Sequence, residues 1–200
     1  MIKIRKIRYS FVAILIIAII FVVISILGRY TIVPNEVYLV SGNNLIEDGS
    51  FEMFNGTVGD CCRIESETAL IYATKSIDCY EGNFSLNLTS ENRCACINKR
   101  VREFENSDKH LLTFYFKGDN PKFCNWVYGD NKCLPVRSLD QKKEWTEYKE
   151  VLEFSEQSLS SAIYFYANSR GDKIYTNLYD DLQVRKLIPI ENPEDYEYGL

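Results

Sequence analysis

Two hydrophobic patterns divide this chain. From Phe11 to Leu27 it reads FVAILIIAIIFVVISIL, apolar throughout except for one Ser and free of charge. With Tyr9, Ser10 and Gly28 the run reaches the roughly 20 residues a helix needs to cross a bilayer. It has no polar face to turn toward water, which argues against a buried helix of a soluble core. After residue 30 the period changes to two. SLNLTS (85–90), HLLTFYFKG (110–118), YKEVLEF (148–154), SAIYFYA (161–167) and LYDDLQV (178–184) alternate and are rich in aromatic residues, the pattern of half-buried strands. Gly-Asp-Asn-Pro, Tyr-Gly-Asp-Asn and Arg-Gly-Asp stand between them as turns.

The alternation assigns side chains to faces. Leu112, Phe114 and Phe116 share one face of their strand, and Leu111, Thr113 and Tyr115 the other. Ile163, Phe165 and Ala167 oppose Tyr164 and Tyr166. One face is apolar and the other carries tyrosines, so the strands cover a core on one side only. No stretch after residue 30 reads as an amphipathic helix, and many short strands at this spacing predict an all-β antiparallel sandwich or jelly roll. The organisation expected is a basic tail (1–9), a transmembrane helix (10–28), an extended spacer (29–42), one domain (43–187), and an acidic tail or linker (188–200).

Charge sets the topology. Lys3, Arg5, Lys6 and Arg8 precede the apolar run, and no acid occurs before Glu36. Basic flanks stay cytoplasmic, so the domain is expected outside a single-pass cell membrane. A cleaved secretory signal competes with this reading, but bulky Ile26 and Leu27 stand where small residues belong. Residues 1–29 hold five of the 23 basic side chains and none of the 28 acidic ones, so the remainder carries −10. That charge repels phosphate backbones and excludes nucleic acid as a partner.

All seven cysteines (61, 62, 79, 94, 96, 124 and 133) follow the helix, in keeping with an oxidising compartment and disulfides. Zinc is the rival, but only Cys94-Ala-Cys96 approaches a knuckle, with no second pair. An odd count leaves one thiol free or paired with another chain, and connectivity stays open. Asn55-Gly-Thr57, Asn83-Phe-Ser85 and Asn87-Leu-Thr89 are glycosylation sequons in keeping with export.

Several segments, in order, resemble the galactose-binding-like jelly rolls, especially the carbohydrate-binding modules of polysaccharide-degrading enzymes. Asn44-Leu-Ile-Glu-Asp-Gly-Ser-Phe-Glu52 is similar to that family's first strand. Tyr80-Glu-Gly-Asn-Phe-Ser-Leu-Asn-Leu88 resembles its "G-x-x-S-L-x-L" strand, and Leu112-Thr-Phe-Tyr-Phe-Lys-Gly118 its "L-S-F-Y-A-K-G" strand. Trp145-Thr-Glu-Tyr148 and Tyr179-Asp-Asp-Leu-Gln-Val184 look like two later strands. The resemblance spans nearly all of residues 44–185 and speaks for fold more than for ligand. It departs from the family at the insert around Cys61, Cys62 and Cys79.

The resemblance implies a structural calcium ion, with Glu52 and Asp181 as matching carboxylates and Asp180 as their neighbour. It also implies a glycan or surface polysaccharide as partner. Flat aromatic faces stack on sugar rings, and the candidates are Tyr115, Trp126, Tyr128, Tyr164 and Tyr166. Trp126 and Tyr128 lie between Cys124 and Cys133, a spacing that suits a disulfide-closed loop. Packing in the interior competes for each aromatic, and Trp145 is expected in the core. A single His, expected on the core-facing side of its strand, leaves nucleophilic triads unsupported. No two carboxylates stand out as a glycosidase pair, so a non-catalytic binding module is expected. The alternative is a structural or adhesive subunit of a surface assembly, using the same sandwich to dock protein.

Overall fold

The computed structural model describes residues 30–33, 36–55, 71–91, 94–102, 108–129, 132–133, 136–156, 158–168 and 173–190. The basic tail, the apolar run 10–28, Cys61, Cys62, the Arg-Gly-Asp turn and the end of the acidic tail lie outside them. Among the described residues no helix is long and apolar enough to cross a membrane.

The chain forms two compact units. The smaller contains β1 (Tyr30–Val33), β2 (Glu36–Val40) and the end of β12 (Ile174–Pro189). β1 and β2 pair antiparallel, and β2 pairs with Leu187–Pro189. Residues 30–33 and 36–40, within the stretch 29–42 expected as a spacer, are therefore strands. Their alternating, β-branched sequence suits a ladder, and Tyr38 and Leu187 are buried within it.

The larger unit, Gly42–Lys186, is an antiparallel sandwich. Its first sheet has the order β3 (Ile71–Ser76), β4 (Ser85–Glu91), β12, β6 (Lys109–Gly118), β10 (Lys142–Glu153). Its second has β5 (Cys94–Arg100), β11 (Ser160–Asn168) and β7 (Lys122–Tyr128), with the two-residue strands β8 (Lys132–Cys133) and β9 (Arg137–Ser138) along β7. The five strands expected from alternation lie inside or across β4, β6, β10, β11 and β12. Their inward residues meet as one core: Leu86, Leu88, Leu112, Phe114 and Tyr179 face Ala95, Ile97, Phe123, Ile163 and Phe165. Phe165 is central. Its ring meets Phe114 edge-on at 5.0 Å and stacks on Tyr179 at 4.3 Å.

The Asn44–Glu52 motif works as a clasp. Asn44 Oδ1 accepts the Ile46 and Val184 amides, and its Nδ2 donates to the Leu182 carbonyl. Gly49 donates no side chain for a simple reason: a Cβ there would lie 1.9 Å from the Leu182 oxygen. Phe51 is fully buried at φ 57, a strained conformation for a bulky residue. Opposite this clasp β12 slips register between Asp180 and Gln183, with Asp181 at φ 46, the signature of a bulge.

Candidate functional site

Backbone register places four of the expected aromatics on one surface. On β11, Tyr164 and Tyr166 point away from the core, and Tyr164 lies between Asn98 of β5 and Cys124 of β7. One step along, Ala162 lies between Arg100 and Trp126, and Tyr128 follows on β7. The rings form a continuous stripe. Trp126 is 6.1 Å from Tyr128 and 6.3 Å from Tyr164, and Tyr164 lies 6.4 Å from Tyr166 at 21°. The Tyr128 and Tyr164 hydroxyls share a 3.1 Å hydrogen bond.

The stripe is graded in exposure. Tyr166 is buried alongside fully buried Cys96 and Cys124, whereas Tyr164, Trp126 and Tyr128 are half-buried and Asn98 and Arg100 are exposed. Burial and the Tyr128 bond push the Tyr164 hydroxyl above its usual range, and the Arg100 charge pulls it back. Trp126 Nε1–H has no acceptor among the described residues. Beside Asn98 and Arg100 opens a cleft of about 680 Å³, walled on its far side by residues 47, 48 and 53–55. Two ion pairs line it, Lys99–Asp48 at 2.9 Å and Arg102–Glu47.

Tyr115 is elsewhere. It projects from the outward face of β6 in the first sheet and stacks on Tyr80 at 3.4 Å and 10°. Burial and a hydrogen bond with Tyr80 raise its hydroxyl pKa. The two inner faces share one core, so Tyr115 and the Trp126 stripe face opposite ways and cannot contact one ligand together. Trp145, expected in the core, is half-buried near Tyr115's side of the sandwich: its indole N–H reaches Asp78 Oδ1 at 3.2 Å, and Lys117 Nζ stands 5.0 Å over the ring. A polar tip and a cation bring this ring to the surface in place of core packing.

Each of the three acids expected at a calcium site accepts hydrogen bonds. Glu52 Oε1 accepts the Asn83 and Phe84 amides at 2.7 and 3.0 Å, which hold its pKa below the ordinary value. Asp180 is fully buried. Its Oδ2 accepts the Tyr80 and Glu81 amides and its Oδ1 the Asp181 amide. Burial raises the Asp180 pKa against those bonds. Asp181 Oδ1 accepts Gln183 Nε2 at 2.6 Å. Among the described residues no three His, Cys, Asp or Glu side chains converge to hold a metal. Two of the three acids tie the 80–84 loop to the sandwich, with amide hydrogens taking the carboxylates' lone pairs.

The only histidine, His110, is buried against the Phe154 ring at 5.3 Å, as its place on β6 implied. Cys79 is a free, half-buried thiol. Register sets Cys133 opposite Trp126, not Cys124. Alternation did not disclose Asn98 and Arg100, because Cys-Ala-Cys-Ile-Asn-Lys-Arg shows no clear apolar period. Nor did it disclose the struts beneath the stripe. Tyr179 hydroxyl accepts the Lys122 amide at 2.8 Å and donates to the Tyr166 carbonyl at 2.8 Å. Asn177 Nδ2 donates to the Asn120 and Tyr166 carbonyls.

No protein-family model and no curated protein matches the sequence. Solved structures do resemble the fold. The enzymatically active domain of tailspike protein 4 of bacteriophage CBA120 superposes with a TM-score of 0.56 at 12% identity, over 74% of this chain. This chain spans only 21% of that domain's length. A family 16 carbohydrate-binding module superposes with a TM-score of 0.50 at 12% identity, over 70% of this chain and 99% of the module. The likeness is to an antiparallel sandwich with the build of a carbohydrate-binding module.

Proposed function

We propose that this chain is a membrane-anchored, surface-displayed module that binds glycans without catalysis, on a galactose-binding-like jelly roll. The observation that carries the reading is the stripe of Trp126, Tyr128, Tyr164 and Tyr166 on one outward sheet face, bordered by the amide and guanidinium of Asn98 and Arg100. Rings stack on the C–H faces of sugars, and polar side chains at the border take their hydroxyls. The family 16 module supports the same reading, since its name is that of a carbohydrate binder and its whole length superposes.

Anchoring is read from residues 10–28 and the basic flank before them, which set the N-terminus in the cytoplasm and the sandwich outside. Export agrees with the sequons and with the disulfide bonding of Cys96 and Cys124.

The test is a glycan array probed with the full chain in a detergent lacking sugar headgroups. Binding to one glycan class, weakened by Trp126→Ala or Tyr164→Ala at unchanged melting temperature, is the expected result. Absence of glycan binding together with capture of one defined surface protein would replace this reading with that of an assembly subunit. Anchoring is tested separately: an epitope at Leu200 should be lost when intact cells meet external protease, and its protection refutes the topology.

A further inference from the structure

We infer that the aromatic stripe and its bordering cleft take an acidic glycan, one carrying uronate carboxylates, with Arg100 as the residue that selects the charge. The inference rests on the glycan reading above and adds the ligand's chemical class.

The local charge balance points to this ligand. The chain beyond residue 29 carries −10, so an arbitrary surface patch is expected to be acidic. The stripe is not. The outward positions flanking Tyr164 and Tyr166 that are described in full are Cys96, Asn98, Arg100, Lys122, Cys124 and Trp126, with no carboxylate among them. In the cleft, Glu47 and Asp48 are already matched by Arg102 and Lys99. That leaves Arg100 as the cleft's uncompensated charge among the described residues. Arg100 and Lys122 have no ion-pair partner there, although both signs are abundant elsewhere on the unit.

Arg100 is also well placed. It lies across Ala162 from Trp126, borders the 680 Å³ cleft, and its charge acts on the Tyr164 hydroxyl. A sugar stacked on Trp126 or Tyr164 would present its ring substituents toward that guanidinium. A carboxylate there gains a bidentate, charge-assisted pair, which a hydroxyl cannot supply. A neutral sugar gains only the stacking.

The experiment uses the full chain in the same sugar-free detergent. Affinities are measured by calorimetry for oligosaccharide pairs on galacturonate, glucuronate and mannuronate backbones, each as free acid and as methyl ester. In at least one pair the acid should bind about tenfold more tightly than its ester, the ratio that 1.4 kcal/mol represents. The advantage should shrink as salt rises. Arg100→Gln should remove it, Arg100→Lys should restore part of it, and Lys143→Gln, which removes an equal charge from exposed β10, should leave it intact. Esters that bind as well as acids, or an array that selects only neutral glycans, overturn the acidic inference and leave the glycan reading standing. Failure of every glycan, acidic or neutral, overturns both.

Discussion

Tyr179→Phe isolates one oxygen that joins the two sheets. The Tyr179 ring is fully buried in β12 and stacks on Phe165, so the substitution leaves the apolar contacts unchanged. What it removes is the hydroxyl that accepts the Lys122 amide of β7 and donates to the Tyr166 carbonyl of β11, both at 2.8 Å. Burial raises the Tyr179 pKa, with those backbone bonds opposing, so the group is neutral at any working pH. The net worth of such a bond is about 1 kcal/mol, and leaving a buried amide without an acceptor costs roughly 1–3 kcal/mol. We expect a loss of about 2 kcal/mol, read by urea titration as a lower midpoint at unchanged slope. In a melt the same loss is roughly 6 °C, interpolating the size dependence of such shifts. Tyr164→Phe is the control: its hydroxyl meets Tyr128 on a half-buried surface, so its cost should stay below about 0.5 kcal/mol. If Tyr179→Phe costs no more than Tyr164→Phe, the hydroxyl is not a strut, and the placing of Tyr166 from below needs another account.

The other expectations concern the clasp, the loop, the core and the ion. Gly49→Ala should destabilise by more than about 2 kcal/mol, since its Cβ would lie 1.9 Å from a backbone oxygen; an unchanged urea midpoint refutes the clasp. Phe165→Ala should cost about 3–5 kcal/mol by opening the core centre, and a loss below about 1 kcal/mol in the same titration would mean the sheets repack without it. The folded-state pKa of Glu52 lies below its unfolded value, so its contribution is present above an unfolded pKa of about 4.3 and is lost as pH falls through the folded value. The melting difference between wild type and Glu52→Gln should therefore narrow from pH 6 to pH 3, and a constant difference removes the amide-capping account. Chelator should leave the melting temperature unchanged, because Glu52 and Asp180 are bonded to amides; a drop reversed by calcium would restore the ion the family resemblance implies.

Much of the fold was legible because period-two alternation is a direct imprint of a half-buried sheet. β4, β6 and β11 declared themselves in this way, and the inward and outward sets on β6 and β11 are those the sequence assigns. β5 and β7 were hidden for separate reasons. On β5 the inward residues are Ala95, Ile97 and the Lys99 that pairs with Asp48, so a single large apolar side chain between a small and a charged one leaves no apolar beat. On β7 the inward Asn125 is buried, its Oδ1 accepting the Ser161 hydroxyl, and this inverts the expected polarity. The family-like motifs were legible as sequence but not as chemistry. Hydrogen bonding to backbone accounts here for Asn44, Glu52 and Asp180, and close approach to the Leu182 carbonyl accounts for Gly49.

The candidate site was legible in half, and the missing half has a geometric cause. Alternation tells whether a side chain faces in or out of its own sheet; it does not tell which of two sheets the strand belongs to. Tyr115 and Tyr164 have the same outward signature, yet β6 and β11 lie in opposite layers, so one predicted tyrosine face is in fact two. Sheet membership is set by long-range pairing: β11 lies between β5 and β7, although residues 101 to 121 and 129 to 159 separate them along the chain. The same pairing brings Arg100 alongside Ala162 and hence near Trp126, a neighbour that no local window could supply. Charge selectivity therefore depends on a contact made only when the second sheet closes. Variants that loosen that closure, Tyr179→Phe among them, should weaken discrimination between acid and ester more than they weaken stacking on the rings. Equal losses in both would mean that Arg100 reads charge from wherever the ligand lies, without the sheet's register to fix it.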